Sequence, residues 1–237
     1  MVQSIAGAAP KPSRGFLGPW ALTVLWPALG CGGIAATLIR DDLQLEDPVV
    51  FFLLGMPALY WFAVGLLQGM LLQKLLDRPK VWAVSTWGGG SLALIGGFAS
   101  FGWLTVWIDE ISNYGFDPEH PIALLLFGFS GIVAGLILGF LQAVTMHASW
   151  RERVYWLAWS ATGGCFAFLV LWGGVNLIAI MSKRNYIDFP DVGFYTIIAA
   201  CLLIGALTHN LLTGIALQRL IAKRAKRNQN ALVNQFD

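Results

Sequence analysis

The residues best suited to chemistry in this 237-residue chain are His209 and Asn210, set inside the apolar run Ile204-Gly205-Ala206-Leu207-Thr208-His209-Asn210-Leu211-Leu212. An ionisable side chain within a membrane-length apolar segment is a functional-site candidate by default. On a helix, Gly205, His209 and Thr213 share one face, so the imidazole would look out through a gap left by small residues. A neutral imidazole there has three uses. It can bond to a neighbouring helix, ligate the metal of a tetrapyrrole such as haem or chlorophyll, or act as a base. Asn176, in the preceding apolar stretch, is a candidate partner, so His209, Asn210 and Asn176 form the expected ligand-binding set. With Ser130 these residues could line the midplane cavity that a small-molecule transporter would need. Asp109, Glu110, Asp117, Glu119 and His120 could chelate a hard cation, but their spacing matches no defined calcium loop, and a solvated acidic loop is the preferred reading. No metal site is expected. Cys31, Cys165 and Cys201 lie in apolar runs, an odd set that gives neither a disulfide framework nor a spaced metal site.

Other polar residues follow a pattern that suggests assembly. Gly65-Leu66-Leu67-Gln68 and Gly139-Phe140-Leu141-Gln142 are two copies of one segment, and each glutamine precedes a tryptophan, Trp82 or Trp156, by the same interval. A degenerate echo, Gly214-Ile215-Ala216-Leu217-Gln218, follows Gln142 at nearly the spacing that separates the first two copies. Gln68 and Gln142 read as amides that hydrogen-bond between helices, and Gly65, Gly131, Gly135 and Gly139 as positions where helix backbones approach closely. Trp82 and Trp156, like most of the 11 tryptophans, are expected at the membrane interface, where an indole has both an apolar body and a polar N–H.

The elements that must position these residues are membrane helices. Hydrophobic residues make up 57% of the chain and charged residues 12%, and mean hydropathy is +0.67, outside the range of ordinary soluble domains. Stretches 15–39, 48–73, 81–108, 121–147, 154–182 and 192–219 are each long and apolar enough to span a bilayer. The expected fold is therefore an all-α, six-helix integral membrane protein over 15–222, with tails at 1–14 and 223–237. No cleaved signal peptide is expected.

Charge gives the orientation. Counting segments alternately, Lys11, Arg14, Lys74, Arg78, Lys80, Arg151, Arg153, Arg219, Lys223, Arg224, Lys226 and Arg227 fall on one side, and only Arg40, Lys183 and Arg184 on the other. Ten of the 13 acids take the opposite side. The positive-inside rule then puts both termini in the cytoplasm. The basic face suits anionic lipid headgroups or an acidic partner. Its residues lack interleaved aromatic platforms, so nucleic acid is not an expected partner.

The Gly-x-x-Gln and Trp motifs divide the chain into helix pairs two–three and four–five, with helix six and helix one as the two halves of a third pair. A permuted three-unit ring would place helix six beside helix one. The units run in the same direction, unlike the inverted repeats behind many alternating-access transporters. The motifs resemble those of uncharacterised multi-pass membrane proteins of cyanobacteria and other bacteria. That resemblance implies a bacterial cytoplasmic or thylakoid membrane and other membrane-protein subunits as partners, but carries no activity.

Locally, Gly128-Phe129-Ser130-Gly131 resembles the segment that opens the fourth helix of rhomboid intramembrane proteases, whose base lies in helix six. That resemblance implies Ser130 as nucleophile and His209 as base. Against it, His209 lies about 17 residues into its helix and Ser130 about 9 into its own, a depth difference of roughly 12 Å at 1.5 Å per residue. The leading expectation is a non-enzymatic membrane subunit or scaffold of a larger complex, with a lipid or pigment as candidate ligand; a small-molecule transporter or substrate-binding subunit is second and a rhomboid-like hydrolase third.

Overall fold

The computed structural model describes residues 16–40, 55–73, 78–112, 120–146, 148–183 and 191–233. Among these there are six helices and no strand: α1 Leu17–Arg40, α2 Met56–Leu72, α3 Pro79–Ser112, α4 Pro121–Thr145, α5 Trp150–Lys183 and α6 Asp191–Val233. Local chemistry sets several of the starts. Proline, which lacks an N–H to leave unsatisfied, opens α3 and α4 and lies in the first turn of α2. His120 caps α4, its Nδ1 accepting from the Ile122 N–H at 3.2 Å. Before α5, the Glu152 carboxylate reaches back to accept from the Ser149 N–H at 3.0 Å, half of a capping box.

Four helices contain segments long and apolar enough to cross a membrane: Pro79–Asp109, Pro121–Thr145, Trp150–Ser182 and Ala200–Arg227. Leu17–Cys31 and Pro57–Leu72 are shorter apolar helical segments. The expected start of the second helix at 48 falls outside the described residues. At the other end, α6 does not stop at 219 but continues to Val233. The added stretch is rich in Ala, Lys and Arg and contains neither glycine nor proline, so no strong breaker ends the helix.

Each helix packs on the next in sequence, and α6 returns to pack on α1. Two buried clusters fill this ring. Phe16, Trp20, Leu72, Trp82, Met146, Trp156 and Leu217 lie where α1, α3 and α5 begin and α2 and α4 end. Farther along, Ala93, Phe127, Ala134, Leu138, Phe168 and Leu171 form the second cluster. Outward-facing positions are strongly apolar, with Trp103 at 67% and Leu125 at 70% exposure. So much outward apolar surface fits lipid better than water.

Candidate functional site

Asn210 is the hub of a buried polar chain that joins four helices. Its Nδ2 donates to the main-chain oxygen of Trp20 at 2.8 Å and to Thr23 Oγ1 at 3.5 Å. Its Oδ1 accepts from Gln68 Nε2 at 2.8 Å. Gln68 Oε1 in turn accepts from the indole N–H of Trp82 at 3.4 Å. The Trp20 indole N–H donates to the main-chain oxygen of Asn210 at 2.6 Å, and its ring lies over Gly214, where a Cβ would meet Trp20 Nε1 at 2.7 Å. Asn210, Gln68, Thr23, Trp20 and Trp82 are all buried. Both ends of the Asn210 amide are thus engaged within the protein.

His209, one residue earlier, points about 100° away around the helix and meets a different neighbour. It is 8% exposed and hydrogen-bonds to the backbone of Gly163 on α5. That contact requires glycine, because a Cβ on residue 163 would lie 2.7 Å from His209 Nδ1. One turn away, Gly205 faces Ala167, so this face of α6 lies flat on α5. Thr213 extends the face, its hydroxyl donating to the main-chain oxygens of His209 and Asn210.

Beside His209 is a cavity of about 80 Å3 lined by residues of α2 through α6, among them Trp61, Ala93, Ala134, Gly164, Gly205 and His209. The Trp61 indole N–H is buried without a hydrogen-bond partner. Sites for drug-sized ligands occupy about 300–1,000 Å3, so a tetrapyrrole does not fit at His209 in this packing. The space suits a short apolar group.

The other expected site residues separate. Gly163, the contact of His209, and Asn176 both lie on α5, about 20 Å apart along the axis at a rise of about 1.5 Å per residue, so Asn176 does not join the pair. Ser130 is fully buried, and its hydroxyl makes no hydrogen bond; serine and histidine are not joined as nucleophile and base. The depth difference expected between them is nevertheless absent. Gly131, adjoining Ser130, packs on Gly164, while His209 packs on Gly163, so both reach the same step of α5. Depth counted from helix starts misleads here because the contacts of Gly131 with Gly164 and of His209 with Gly163 put the start of α6 farther out than that of α4. Asp117 and Glu119 lie outside the described residues, and His120 is occupied as a cap. Among the described residues no group of three or more His, Cys, Asp or Glu could hold a metal ion.

The packing residues sit on helix contacts. Gly65 faces Ala83 of α3, Gly131 faces Gly164 and Gly135 faces Ser160 through close backbone approach, while Gly139 meets the Ser160 side chain. Gln142 Nε2 donates to Thr86 Oγ1 at 3.0 Å, joining α4 to α3. Trp82 and Trp156 depart from expectation. Both are fully buried and pack edge to face at 5.6 Å, because their helix ends converge on the cluster with Trp20 instead of facing outward. Sequence reasoning also missed that the two Gln…Trp pairs differ. Trp82 bonds to Gln68, whereas Trp156 Nε1, Gln142 Oε1 and the nearby Ser160 Oγ are buried without partners. No protein-family model, curated protein or solved structure matches the chain.

Proposed function

We propose that this protein is a non-enzymatic, six-span membrane subunit or scaffold of a bacterial cytoplasmic or thylakoid membrane, with both termini cytoplasmic. The observation that carries this reading is the use made of buried amides. Asn210, Gln68 and Gln142, the groups a substrate site would draw on, are bonded from helix to helix. In the proposed topology, α1 and α2 complete the six spans, and the basic ends of α3, α5 and α6 face the cytoplasm. The Gly-x-x-Gln and Trp segments are joints of a three-unit ring, as in the multi-pass bacterial proteins they resemble, and other membrane proteins are the proposed partners.

A second reading, a small-molecule transporter or substrate-binding subunit, draws support from the cavity that five helices share beside His209. Purification from native membrane, with an absorption spectrum and identification of copurifying molecules, separates the readings. A stoichiometric membrane complex is the result expected for a scaffold. A partner-free monomer carrying a small solute would overturn it in favour of the second reading. Labelling of Ser130 by an activity-based serine probe, lost in Ser130→Ala, would overturn both in favour of a hydrolase.

A further inference from the structure

An open cleft, lined on the α6 side by exposed residues, lies at the basic end of the ring. It measures about 260 Å3 and is lined by Glu152 from the first turn of α5 and by Lys223, Lys226, Arg227 and Asn230 from α6.

Lys223, Lys226, Arg227 and Asn230 fall at three- and four-residue spacings, which put them on one helical face. Three like charges at that spacing repel one another, and an anion between them removes the repulsion. Glu152, the acid among the described lining residues, is 6% exposed and accepts from the Ser149 N–H, and the three cations outnumber it. Asn230 adds a neutral donor suited to an ester or hydroxyl oxygen.

Position narrows the ligand class. The apolar segment Ala200–Arg227 ends at this cavity. Two turns before Lys226, the Arg219 guanidinium lies 5.6 Å over the Trp159 ring, and Trp150, two residues before Glu152 at the start of α5, is 75% exposed. Exposed indoles and arginines at the end of an apolar helix mark headgroup depth.

We infer that the cavity between α5 and α6 binds a phosphate group, supplied by the headgroup of an anionic phospholipid. The cations hold the phosphate oxygens, with Arg227 able to engage two at once, and Asn230 meets the ester side. The inference rests on the chain being membrane-embedded but not on its being a scaffold, because lipid retention is read without any partner protein.

The test uses the full chain in nanodiscs of phosphatidylcholine alone or with phosphatidylglycerol, reading retained lipid by native mass spectrometry and the thermal midpoint. Glycerol 3-phosphate, titrated into phosphatidylcholine discs, is the soluble arm. The expected result is selective retention of phosphatidylglycerol, reduced about 30-fold in a Lys226→Ala, Arg227→Ala double variant, at about 1 kcal/mol per cation. An Arg78→Ala, Lys80→Ala variant removes the same charge outside the cavity and should retain the lipid. Equal loss in both variants, or no preference for phosphatidylglycerol, overturns the inference. Saturation by glycerol 3-phosphate that leaves lipid retention unchanged overturns the lipid source.

Discussion

Trp20 and Asn210 hold each other twice across the joint between α1 and α6, the side chain of each donating to the main-chain oxygen of the other. Because Asn210 also accepts from Gln68, Asn210→Ala leaves Trp20, Thr23 and Gln68 without a common partner. The expected cost is about 2 kcal/mol, more than a typical interhelical bond in lipid, because several buried groups lose partners together. Thermal unfolding in detergent measures it. A double-mutant cycle with Gln68→Leu should return a coupling of about 0.6–1 kcal/mol; strict additivity would show that the bond carries no energy.

The buried tryptophans should respond differently to the same change. Trp82→Phe removes a bonded indole N–H and leaves Gln68 Oε1 short of a donor, whereas Trp156→Phe removes an N–H that has no partner. Both lose ring volume, so the difference isolates the polar group. Trp82→Phe should cost about 1–3 kcal/mol more. Equal costs in thermal melts would mean that Trp156 is as well bonded as Trp82.

At the α4–α5 contact, a Cβ on Gly164 would lie 2.8 Å from the Gly135 Cα and closer still to the Gly131 oxygen. Gly164→Ala should therefore force the two backbones apart and lower the melting temperature. Gly102 has open space around it. Gly102→Ala should be neutral or stabilising by up to about 1 kcal/mol from helix propensity. Similar responses at the two positions would refute the close packing.

Ser130→Ala tests whether the local G-x-S-G segment has any chemistry. The hydroxyl is buried and without a partner, so its removal should leave thermal stability unchanged or slightly raised, as expected when an unsatisfied polar atom is deleted. Copurifying partners should be unchanged. A marked loss of stability would reveal a bond to that hydroxyl.

Much of the architecture could be read from composition, because uninterrupted apolar stretches leave the backbone no option but helix. The roles of Gln68, Gly131 and Gly139 were legible too, since small and amide residues have few other uses in lipid. The role of Asn210 was not. Asn210 and His209 adjoin in sequence, but a helix turns them to different neighbours, and which neighbours those are depends on how the ring closes. Burial of Trp82 and Trp156 was equally hidden, because an indole near a helix end suits the interface and the core alike. The cavity at Lys223 and Arg227 depends on α6 running past the expected boundary, beyond the apolar signal used to place it.

Ring closure also sets an order of events during synthesis. Asn210 leaves the ribosome 190 residues after Trp20, so Trp20 and Gln68 are both made before the residue that joins them, while Gln68 has Trp82 as an earlier partner. The α1–α6 joint is therefore made last, after α1 can already pack on α2. Termination ahead of α6 would leave the ring open, with the Trp20 indole N–H and the Gln68 amide N–H short of their Asn210 partner.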